Sequence, residues 1–146
     1  MSEELFHVLS KKAEYLQQMY KAYARSTGDE GLRKFLNSMA EQERSHRQYL
    51  GEELQEVGEQ AQKMFDEILT NHSVPTNALD PEGYSRTEFL QHAMESEHAL
   101  LALYQELSEK APTDSLRTFF HSMYIEEQRH YNLVKDRYEL ESLLSS

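Results

Sequence analysis

Apolar side chains recur along this chain at alternating intervals of four and three. One run is Leu32, Leu36, Met39, Glu43, His46 and Leu50; another is Leu116, Phe120, Met123, Glu127, His130 and Val134. A third is Leu90, Ala93, Glu97, Leu100, Tyr104, Leu107 and Ala111. Such spacing lines up side chains along one face of an α-helix, the face buried when helices pack. The surrounding residues are mostly Glu, Leu, Gln, Lys, Ala and Met, all good helix formers. Chain breakers are few and grouped: Gly28 with Asp29, then Pro75, Pro81 and Gly83, then Pro112. The pattern predicts four long helices at about 2–27, 30–57, 86–110 and 114–141, and a short one at about 60–71.

The connections refine this reading. The first two long helices meet at a tight turn around Gly28. The last two meet around Pro112, with Thr113 or Asp114 as the N-cap. Each pair is expected to form an antiparallel hairpin, about 2–57 and about 86–141, and the joint between them, about 58–85, is long. Two hairpins joined by one long crossover predict an all-α, ferritin-like four-helix bundle, a single domain over 1–146. An internal repeat supports the two-hairpin division. Shifted by 84 residues without a gap, the first half falls on the second. Leu16 then meets Leu100, Tyr20 meets Tyr104, Arg33 meets Arg117, Met39 meets Met123, Glu43 meets Glu127 and His46 meets His130. Two copies are too few for a solenoid and suit two related hairpins about a pseudo-twofold axis.

Composition narrows the possible functions. A chain of 146 residues suffices for one domain with a real core. The formal net charge of −11 argues against nucleic acid and anionic membranes as partners. With no cysteine there are no disulfides, thiolate metal sites, iron–sulfur clusters or built-in rubredoxin-type iron. The opening MSEELFHVLS lacks the basic and apolar regions of a signal peptide, and no stretch is apolar enough to span a bilayer. A cytoplasmic location is the expectation.

The chemistry lies on the helix stripes themselves. A carboxylate carried into a core costs several kcal/mol unless it is paired. Here Glu43, Glu97, Glu127, His46 and His130 all stand on the stripes, and the two Glu-x-x-His pairs occupy equivalent places in the two halves. A shared divalent or trivalent cation satisfies such a set; a buried salt-bridge network is the alternative. Glu4–His7 and Glu95–His98 share the spacing, but they do not repeat in the other half and do not have both ends on a stripe. Tyr20 and Tyr104 stand a turn or two from the charged positions, as core aromatics or as hydrogen-bond donors to the carboxylates.

The combined pattern resembles the rubrerythrin branch of the ferritin-like di-iron carboxylate superfamily. The resemblance rests on EHALLALY at 97–104 and EEQRH at 126–130. In the first half it rests on YKAYARSTGDEGLRKFLNSMAEQERSH, with Tyr20, Glu43 and His46 in register. It implies a metal centre of Glu43, His46, Glu97, Glu127 and His130 holding one or two iron ions or another divalent metal. It also implies an oxidoreductase acting on peroxide or oxygen, fed by a separate electron-donor protein, and a homodimer. One position departs from the family pattern. Where the resemblance asks for a Glu to match Glu97, the chain has Ala13, with Glu14 beside it about 100° around the helix. Glu14 would reach the centre only if that helix rotated or bulged. The centre is therefore a di-iron site completed unusually, a single-metal site, or a decayed site. The corresponding functions are redox catalysis, metal sequestration without turnover, and a metal-free helical scaffold.

Overall fold

The computed structural model describes residues 2–54, 59–72 and 83–145. Five helices follow one another: α1 (Ser2–Ser26), α2 (Glu30–Glu53), α3 (Glu59–Thr70), α4 (Arg86–Lys110) and α5 (Asp114–Ser145). Among the described residues there is no strand. The helix ends follow local chemistry. Asp29 caps α2, its side chain accepting from the Leu32 amide at 2.9 Å. Ser85 caps α4 in a reciprocal box with Glu88. Of the two candidates before α5, Thr113 is the cap, its hydroxyl accepting from the Leu116 amide at 3.2 Å.

Two boundaries differ from the sequence expectation. The α2 helix closes at Leu54, which is 1 % exposed and whose N–H reaches back to the Leu50 carbonyl. Its expected last turn at 55–57 lies outside the described residues, as do Pro75 and Pro81 of the crossover. The last helix runs on to Ser145 because YELESLL has no Gly or Pro and is mostly Leu and Glu, and Glu141 is held within the helix by Arg137 at 3.3 Å.

The α1 and α2 helices pack closely as one hairpin, and α4 and α5 as the other. The two turns are clamped alike. Arg33 donates to the Thr27 carbonyl, and Arg117, its counterpart 84 positions on, donates to the Ala111 carbonyl. Each arginine also pairs with the first acidic residue of its own helix, Glu30 and Asp114 respectively. The internal repeat is thus a repeat of structure.

Between the hairpins, α2 meets α5 antiparallel: Glu43 faces His130 while His46 faces Glu127. On the other side Tyr23 of α1 stacks on Phe89 of α4, ring centroids 4.1 Å apart. The α3 helix lies against α1 and α4 and buries Phe65 edge-on to Phe120. At one end Arg86 bridges Asp29 at 3.0 Å and Glu141 at 3.7 Å, tying the first turn to the second hairpin. Leu5, Leu9, Leu16, Leu36, Leu50, Leu90, Leu103, Leu107 and Val134 fill the layers above and below the middle of the bundle, all fully buried. Each contributes on the order of 1.5–3 kcal/mol by leaving water. The middle is where the charged stripe positions fall.

Candidate metal centre

Glu43 and His46 sit one turn apart on α2, and Glu127 and His130 one turn apart on α5. The 4,3 spacing puts each pair on the inward face, and the antiparallel crossing brings the pairs to one height. All four are buried, and one ligand atom from each lies within 4.8 Å of all the others. The two imidazoles stack with centroids 4.8 Å apart. His130 Nδ1 is 3.1 Å from Glu43 Oε1, and His46 Nδ1 is 2.9 Å from Glu127 Oε1. Those contacts are mates under the pseudo-twofold.

Glu97 of α4 is also fully buried. It stands outside that group of four, beside Glu127, and accepts a hydrogen bond from the Tyr20 hydroxyl at 2.8 Å. Tyr104 is buried against Phe120. Burial first, then the charges of Glu127, Glu43 and Glu97, push its phenol well above the ordinary value. Glu14 does not enter the centre. The α1 helix is regular there, and the Glu14 carboxylate is turned toward Gln18 and Arg47 near the surface. The buried residue at the matching height is Ala13. His7, Glu95 and His98 are exposed, so neither weaker Glu-x-x-His copy joins the centre.

The electrostatics are those of an under-neutralised site. Burial alone would lower the His46 and His130 pKa values, but Glu127 and Glu43 beside them raise the rings to about 10 and about 9. Burial and the adjacent Glu127 and Glu43 charges push Glu97 well above the carboxylate range. Glu127 is held well below that range: burial opposes its ionisation, but the Glu97 carboxyl and the two imidazoles outweigh it.

Several polar atoms at the centre still lack a hydrogen-bond partner: Glu43 Oε2, Glu97 Oε2, both Glu127 oxygens and His46 Nδ1. The His46 nitrogen is near Glu127, but out of line for donation. Oxygens and nitrogens crowded about one region without aligned protons are what a coordinated cation satisfies. The donor set, carboxylate with imidazole and no thiolate, suits iron, manganese or zinc. The residues present fit such an ion.

A family model described as Rubrerythrin matches residues 11–138. The chain belongs to the rubrerythrin family. The match covers both hairpins and the whole centre. Comparison with curated proteins and with solved structures finds no match. Around this rubrerythrin-family centre, three residues escaped the sequence reading. Gln42 accepts from His130 Nε2 at 2.7 Å and from Arg129 Nη2 at 2.8 Å. Glu126 accepts from Arg129 at 2.9 Å and stands 4.0 Å from His46 Nε2. Gln42 and Glu126 are related by the same shift of 84, each preceding a stripe glutamate, and that repeat was the signal available. Gln42, Glu126 and Arg129 also line an open groove of about 1020 Å³ between α2 and α5, into which His46 looks. No helix among the described residues is long and apolar enough to cross a membrane.

Proposed function

We propose that the protein is a non-haem iron protein whose metal is held by Glu43, His46, Glu97, Glu127 and His130. The observation that carries this reading is the set of orphaned buried oxygens on Glu43, Glu97 and Glu127 facing two imidazoles between the hairpins. Bound iron supplies a one-electron ferrous–ferric couple there. The protein's own groups supply the rest. The carboxylates balance the charge, and the imidazoles complete the shell with Nδ1 turned inward. The Tyr20 hydroxyl fixes one oxygen of Glu97, and the apolar layers above and below exclude water. The reaction supported best is reduction of peroxide or oxygen. Its electrons come from a separate protein, since the chain has no cysteine to hold a second iron centre.

Ala13 favours a second reading, retention of iron without turnover. With three glutamates in place of four, two ferrous ions are left short of negative charge. One experiment separates these readings. Protein purified without chelators is assayed for metal content, then for peroxide consumption with a chemical reductant. Iron with turnover supports catalysis, iron without turnover supports sequestration, and no bound metal from any first-row ion defeats both and favours a scaffold.

A further inference from the structure

Arg129 can only donate hydrogen bonds. The Gln42 atom that faces it at 2.8 Å must therefore be the amide oxygen. That same oxygen lies 2.7 Å from His130 Nε2, so Nε2 must carry a proton. In the metal-free chain Nδ1 is protonated too: it donates to Glu43 at 3.1 Å and lies 3.8 Å from Glu127. When it gives up that proton to a metal, the neutral ring keeps its hydrogen on Nε2 and turns its lone pair to the centre. The chain of donors is fixed from the outside inward, beginning with a guanidinium that cannot change role.

The pseudo-twofold mate of this contact is not made. Glu126 holds the place of Gln42, yet its carboxylate stays 4.0 Å from His46 Nε2. His130 is fully buried, whereas the His46 side chain is 8 % exposed and borders the groove. The two histidines are thus held unequally, one by a neutral amide in contact and one by a carboxylate at a distance.

We infer that Gln42 is a positioning residue for His130: oriented by Arg129, it fixes the ring as the Nε2–H tautomer and presents Nδ1 to the centre. The consequence for metal rests on the iron-binding reading above; the hydrogen bond does not. Metal-ligating histidines held by such a partner lose about 10–100-fold in metal affinity when the partner is removed.

The test uses the full-length chain labelled with ¹⁵N, metal-free and with zinc as a diamagnetic probe. Imidazole ¹H–¹⁵N correlation should show His130 Nε2–H protected from solvent exchange in both forms, and the Nε2–H tautomer in the zinc form. Gln42→Leu should abolish that protection and weaken zinc about tenfold or more. Gln42→Glu, which keeps an acceptor, should restore the protected proton. Should Gln42→Leu fail to fold, Arg129→Met serves instead. Arg129 is half-exposed, and its loss frees the amide to turn, so the signal should broaden and the tautomer become mixed. Glu126→Gln should change zinc affinity by less than about threefold, because its contact is not made. An unchanged His130 tautomer and an affinity within about twofold in Gln42→Leu would overturn the inference. A protected Nε2–H that depends on Gln42 in a protein that binds no metal would uphold the inference and defeat the iron reading.

Discussion

Tyr20 donates to Glu97 at 2.8 Å from the opposite hairpin, while Tyr104, the residue 84 positions on, has Ala13 where the corresponding glutamate would stand. The pseudo-twofold is therefore kept by the tyrosines and broken by their partners. Tyr20→Phe leaves a buried carboxyl without its donor and should cost about 1–3 kcal/mol. Tyr104→Phe should cost clearly less. Denaturant unfolding of the metal-free proteins checks the order; equal losses would show that the broken pairing has no energetic meaning.

Ala13 bears on metal content as well. Ala13→Glu should raise bound iron toward two ions per chain, by supplying the carboxylate that matches Glu97. In the metal-free protein the same change should destabilise the fold by about 3 kcal/mol or more, since it adds a buried carboxyl among other carboxyls that the Tyr104 hydroxyl alone does not offset. Metal analysis and unfolding on the same preparations test both halves. Two firmly held ions in the unmodified chain would show that Ala13 does not limit loading.

The imidazoles make stability depend on pH. Their values in the folded chain, about 10 for His46 and about 9 for His130, stand above the ordinary 6.5. Protons thus bind the folded state more tightly than the unfolded one. This stabilisation is whole below about pH 6.5 and is lost as pH rises through 9 to 10. Metal-free protein should lose stability over that range more steeply than a His46→Gln, His130→Gln double variant. Metal binding near neutrality should also release protons, measurable by calorimetry in buffers of different ionisation enthalpy.

Gly28 marks the first turn in the sequence, yet its φ is not positive, and an added Cβ would meet nothing within 4 Å. Gly28→Ala should be neutral or stabilising by up to about 1 kcal/mol, through a less mobile unfolded chain. A loss of thermal stability would reveal a need for glycine in that turn.

Much of this was legible in the sequence, for identifiable reasons. The stripes are long and regular, so the helices and the inward positions of Glu43, His46, Glu97, Glu127 and His130 followed from spacing. The repeat alone puts the two pairs at one height. Arg129 was not legible, and Gln42 and Glu126 only through the repeat, because each lies one step off a stripe, where side chains normally meet water. They approach the centre because α2 and α5 cross there with long side chains between them. Glu14 was decidable only in three dimensions, where regular α1 geometry turns it toward Arg47.

The unequal halves also bear on the assembly of such a centre from separate subunits. The segment 86–145 carries Glu97, Glu127 and His130, so two copies closed about a true twofold would bring together four carboxylates and two imidazoles. Two copies of 2–53 would bring only two of each. In the intact chain one half of each kind is covalently joined to the other. Two ions bound between them would occupy non-equivalent positions, distinguishable by any spectroscopy that resolves one metal environment from another.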